Sequence, residues 1–157
     1  MKRIVVGIDG SDNAVRALTW AADEAALHGA VLQVAHVYEH QPAWMAYAYG
    51  EGMSAAQVDA VRESIQASAH EAEEHARAVV DRVMSEAEIA DTVKTESVVV
   101  EGSRPAEELV RLSQDADLLV VGSRGRGGFA GLLLGSVSQQ CATHAACPVV
   151  IIRAEAA

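Results

Sequence analysis

Residues 117–145, DLLVVGSRGRGGFAGLLLGSVSQQCATHA, change character twice. The apolar run at 118–121 suits a strand buried on both faces, and a loop with six glycines in fifteen positions (122–136) follows it. A polar, helix-compatible run then extends from about Ser136 to Ala145. Strand, loop and helix make half of a parallel crossover unit.

The flanking sequence repeats this alternation. PVVIIR (148–153) reads as a closing strand, TVKTESVVVE (92–101) as an earlier one, and GSRPAEELVRLSQDA (102–116) as a turn and helix with Pro105 at its first position. At the amino end, RIVVGI (3–8) is a strand and DGSD (9–12) is turn chemistry. NAVRALTWAADEAALH (13–28) is a helix with Ala14, Leu18, Ala21 and Ala25 on one face. Ser11 or Asp12 caps it, Gly29 stops it, and AVLQVAHVY (30–38) is the second strand. A long helix from about Ser54 to Glu88 carries Val58, Val61, Ile65, Ala72, Ala76, Val79 and Val83 at helical spacing, which predicts a core stripe. Strands alternating with helices predict a three-layer α/β sheet in a single domain spanning residues 1–157.

Between the second strand and the long helix, EHQPAWMAYAYGEGM (39–53) breaks the pattern and holds Trp44, Tyr47 and Tyr49, half of the six aromatic residues. Starting on the rim where ligands bind in such folds, it is either a lid over the site or a plug packed on the sheet end or against a second subunit.

Composition narrows the function. With a formal charge of −10, nonspecific attraction to nucleic acid or an anionic membrane is disfavoured, so a polyanionic ligand has to be met by local positive groups. MKRIVVGIDGS lacks the apolar core of a signal peptide, and no stretch approaches the roughly 18 unbroken apolar residues of a membrane span. Cys141 and Cys147 lack metal-ligand spacing, and His36 and His40, four apart on an extended segment, do not form a metal pair. Cys147, before Pro148, reads as a buried small apolar residue. A soluble, reduced, cytoplasmic protein without a metal site is expected.

The glycine loop is not a Walker loop, since no lysine follows its glycines and the chain has only Lys2 and Lys94. Gly125, Gly127 and Ala130 satisfy a loose dinucleotide pattern, but after a late strand instead of the first. What the loop can do is bring bare backbone close to phosphate, with Ser136 capping a helix start and Arg124 and Arg126 supplying forked donors. Asp9, Val37 and Gly122 all lie at carboxyl ends of strands, where ligands bind in open α/β sheets.

The spacing Gly122-x2-Gly125-x9-Gly135-Ser136 resembles the G-x2-G-x9-G-S/T signature of the universal stress protein family. VVGIDGS, AHV, GSRPAEEL and CPVVIIR support the resemblance along the whole chain. It implies a five-stranded parallel sheet of order 3-2-1-4-5, of the adenine nucleotide alpha hydrolase-like kind, with ATP and magnesium as its counter-ion. Asp9 is expected near the ribose and adenine, Gly7 in the same strand motif, and the Val37 backbone at the adenine edge. Gly122, Ser123 and Gly125 follow ribose and phosphates, while Gly135, Ser136, Val137 and Ser138 hold phosphates at the helix start. Arg124 and Arg126 join this set by charge alone. The resemblance also implies a homodimer through the last strand.

The expected function is a nucleotide-dependent regulatory protein of the stress response. The alternatives are a slow ATPase or nucleotidyl-transfer enzyme on the same fold, or a cyclic-nucleotide-binding or interaction module. No nucleophile with an adjacent base is legible, so no catalytic residue is assigned.

Overall fold

The computed structural model describes residues 1–40, 54–125 and 133–153. Its elements in chain order are β1 (Arg3–Ile8), α1 (Asp12–His28), β2 (Val31–Tyr38), α2 (Ala55–Glu86), β3 (Thr95–Glu101), α3 (Pro105–Leu112), a 3-10 turn (Ser113–Asp115), β4 (Leu118–Gly122), α4 (Ser136–His144) and β5 (Val149–Ile152). All strand pairings are parallel, and the order is β3-β2-β1-β4-β5, as expected from the resemblance. Arg3 pairs with Val31 and Ile4 with Leu118, which brings the carboxyl ends of β1 and β4 side by side.

Right-handed crossovers explain how the helices divide between the faces. From β1 to β3 the chain steps outward in one direction, and α1 and α2 pack on the face built from Ile4, Val6, Leu32, Val34, Leu118 and Val120. From β3 it returns to β4 and continues to β5 in the opposite direction. The same handedness then puts α3 and α4 on the other face, with Val5, Ala35, Leu119 and Val121. The direction reverses between β1 and β4. Their strand ends therefore diverge into a crevice, the standard ligand position in such sheets.

Local chemistry sets the element ends. The Ser11 side chain accepts the Ala14 N–H and so caps α1, while Gly29 adopts φ 60° and closes the helix through bonds to the Ala25 and Ala26 carbonyls. Along α1 the buried positions are mostly alanine, which lets the helix lie close on β1 and β4 around Leu18. Leu18, Leu32 and Leu119 are fully buried, each contributing about 1.5–3 kcal/mol of transfer free energy. Ser54 and Gln57 form a capping box at the start of α2, and Pro105 takes the first position of α3.

Two sequence expectations need correction. The predicted core stripe of α2 reaches the core only in its second half, at Ala76, Val79, Val80 and Val83. Val58 is exposed, and Val61, Ile65 and Ala72 are half-buried, because at 32 residues the helix is much longer than strands of 8 and 7 residues that it crosses. Cys147 is half-buried instead of fully enclosed, since β5 forms the edge of the sheet, whereas Cys141 on α4 is completely buried. No described helix is long and apolar enough to cross a membrane. The aromatic segment with Trp44, Tyr47 and Tyr49 lies outside the described residues, as does Arg126.

Candidate functional site

The crevice at the β1/β4 switch point opens into a cavity of about 590 Å³, in the range of small-molecule sites. Part of its lining is apolar: Ala35 and Val37 from β2, Val121 from β4, Pro105 and Leu109 from α3, and Val137 from α4. Leu109 enters because Gly7 has no side chain, since a Cβ there would lie 2.6 Å from Leu109 Cδ1.

Much of the cavity's polar lining comes from the turn after β1 and from the described ends of the glycine loop. The Asp9 carboxylate accepts the Ser11 amide at 3.1 Å and the Ser11 hydroxyl at 2.7 Å through Oδ1. Its other oxygen faces Gly125, where an added Cβ would fall 2.2 Å away. Gly125 is thus glycine for a steric reason: the loop backbone runs directly over the carboxylate.

The two ends of the loop are joined at Ser123. Its carbonyl accepts the Gly135 N–H at 2.7 Å and the Ser138 hydroxyl at 3.0 Å, and its own N–H donates to the Ile152 carbonyl at 2.7 Å. This clamp holds the start of α4 beside the start of the loop. Helix α4 has Gly135 as its N-cap, without a side-chain cap, and its first ladder bond runs from Gln139 N–H to the Gly135 carbonyl. The amides of Ser136, Val137 and Ser138 therefore have no intrahelical acceptor and sit at the positive end of the helix dipole. Such a terminus is suited to phosphate. Arg124 lines the same cavity and is the one guanidinium among the described lining residues.

Of the sequence-predicted residues, Gly7, Asp9, Val37, Gly122, Arg124, Gly125, Gly135, Ser136, Val137 and Ser138 all line this cavity. Ser123 does not; it is buried at 2% exposure, with its backbone committed to the clamp. Ser136 is the first helical residue, not the cap, because Gly135 already holds the extended cap conformation. The hydroxyl that ties the helix start down belongs to Ser138, which also bonds the Gly135 carbonyl at 3.0 Å.

His36 and His40 make separate contacts within the protein. The Nδ1–H of His36 donates to the Ile8 carbonyl at 2.9 Å. The His40 ring lies 3.1 Å from Ser68 Oγ and 3.6 Å from Glu101 Oε1.

A family model described as the universal stress protein family matches residues 1–153. The chain belongs to the universal stress protein family. A universal stress protein of Thermus aquaticus is 34% identical over 154 residues, covering 97% of this chain and 98% of the relative. Universal stress protein Rv2623 of Mycobacterium tuberculosis is 38% identical over 156 residues, and the match spans 97% of this chain but only 48% of that longer relative. Among solved structures, a universal stress protein in complex with cAMP is 30% identical, with a TM-score of 0.63 over 96% of this chain and 95% of that one. The protein MJ0577 matches the fold at a TM-score of 0.74, with 23% identity over 99% and 98% of the two chains.

In this universal stress protein the apolar wall is what sequence reading missed. Ala35, Pro105, Leu109 and Val121 are ordinary core-type residues whose part in the cavity depends on how far α3 stands from the strand ends. The one local signal was Pro105, which starts α3 next to the rim.

Proposed function

We propose that this universal stress protein binds an adenine nucleotide, ATP in the leading reading, and acts as a cytoplasmic homodimer whose output depends on occupancy. The observation that carries the reading is that one cavity is lined both by apolar side chains from β2, β4 and α3 and by Asp9, Arg124, Gly125 and the start of α4. Adenine fits between Val37, Leu109 and Val121, with the Val37 backbone at its edge. Asp9 meets the ribose, and the phosphates lie along Gly125, Arg124 and the free amides of Ser136–Ser138. Magnesium accompanies the phosphates as counter-ion. The cAMP complex of a 30%-identical relative supports the adenine and ribose part of the reading and leaves the number of phosphates to be measured.

Native mass spectrometry of freshly purified protein, followed by calorimetric titration with ATP, AMP and cAMP, tests it. ATP binding that exceeds AMP and cAMP supports the reading, because its longer phosphate chain offers more charge to Arg124 and the α4 terminus. Equal or tighter cAMP binding identifies a cyclic-nucleotide module, and no binding of any of the three refutes the nucleotide site. Hydrolysis followed in the same samples separates a regulator from a slow ATPase.

A further inference from the structure

Asn13 lies in the first turn of α1 and is buried at 8% exposure. Its side-chain nitrogen donates to the Arg124 carbonyl at 3.0 Å and, at a longer 3.4 Å, to the Ile152 carbonyl. Two carbonyls on one side fix the orientation of the amide, because only its NH2 end can donate to them. The Ile152 carbonyl also accepts the Ser123 N–H. One oxygen at the end of β5 is thus bonded both to the start of the glycine loop and to the side chain that holds the next residue of that loop.

The fit of Asn13 depends on Gly122, where a Cβ would lie 2.6 Å from Asn13 Nδ2. Gly122 therefore has a second reason to be glycine besides ligand approach. The far end of the carboxamide, Oδ1, is buried without a hydrogen-bond partner among the described residues. An unpartnered buried oxygen in a helix is unfavourable, and alanine there would remove it while raising helix propensity. Stability of α1 alone does not account for an asparagine at this position.

We infer that Asn13 is a positioning residue for the loop: its amide occupies the room left by Gly122, fixes the loop backbone at Arg124, and joins that backbone to the last carbonyl of β5. No residue of β5 lines the cavity, so this bond is a direct route by which a change at the outer strand reaches the site. The consequence for nucleotide affinity rests on the function proposed above; the positioning itself does not.

The test compares the ligand-free parent with Asn13→Ala by backbone hydrogen exchange. Exchange at residues 123–125 and 152–153 should rise about 3- to 10-fold, the equivalent of one net hydrogen bond, with β2 and α2 unchanged. ATP affinity should fall by about the same factor without a lower melting temperature. Gly122→Ala should lower the melting temperature less in the Asn13→Ala background than in the parent, because the clash is gone. Asn13→Asp, of the same shape but unable to donate when ionised, repeats the exchange measurement should the alanine variant not fold.

Unchanged exchange at both segments overturns the inference, as does an equal cost of Gly122→Ala in the two backgrounds. If the parent binds no nucleotide, the proposed function falls, and the exchange result still decides the role of Asn13.

Discussion

Gly125 lies against Asp9 so closely that any side chain displaces one of them, because the added Cβ would stand 2.2 Å from the carboxylate oxygen. Gly125→Val should therefore weaken ATP binding about 10- to 100-fold, the loss of roughly one charge-assisted hydrogen bond, as measured by calorimetry. Parent-like affinity in that variant would mean that the loop does not contact the ligand. Ser136→Ala should behave differently, since Gly135 and not Ser136 caps the helix. Its ligand-free stability should stay within about 0.5 kcal/mol of the parent, while ATP affinity drops by about 0.5–1.5 kcal/mol. Asp117 gives a prediction away from the site. Its carboxylate accepts the Arg3 and Lys2 amides, and these bonds hold its pKa below the usual value. A depressed pKa contributes stability that is full above the unfolded value of about 4 and is lost as pH falls through the folded one. Melting curves taken between pH 5 and 3 should accordingly fall less steeply for Asp117→Ala than for the parent. An identical acid limb would show that the two amide bonds contribute nothing in solution.

At the scale of elements, the outer strand decides how two copies could meet. The β4/β5 ladder uses the carbonyls of Pro148 and Ile152, and the two-residue alternation of a parallel pair directs the backbone groups of Val150 the same way. The N–H groups of Val149 and Ile151 point outward instead. Proline at Val150 would therefore damage the sheet itself, whereas Ile151→Pro removes an outward donor. For the proposed homodimer, Ile151→Pro should shift sedimentation toward monomer while circular dichroism keeps its α/β signature. A dimer that survives places the interface on another surface. The strands, the ends of α1 and the start of α3 were legible before the structure because they depend on neighbours in sequence: the β-branched runs, Ser11, Gly29 and Pro105 each act within one turn. The extent of the α2 stripe was not legible. Val58 and Val61 belong to the same helical periodicity as Val79 and Val83, and only the length of the strands beneath decides which pair is covered.

For the whole molecule, a ligand bound only by the folded state raises stability by about 2.7 kcal/mol at a hundredfold excess over Kd. That corresponds to a rise of roughly 5–10 °C in melting temperature for a chain of this size. An unchanged melting temperature at saturating magnesium–ATP would count against the proposed function. The alternation of strands and helices determined the three-layer class, since a parallel pair needs a crossover and crossovers have one hand. The glycine spacing singled out the loop whose ends line the cavity, because bare backbone is a property of a short contiguous stretch. Tertiary structure alone decided the rest. The apolar lining draws on β2, β4 and α3, and Asn13 meets Arg124 and Ile152 across 111 and 139 positions of chain. Such contacts depend on strand order and on the distance between layers, which no local pattern of residues records.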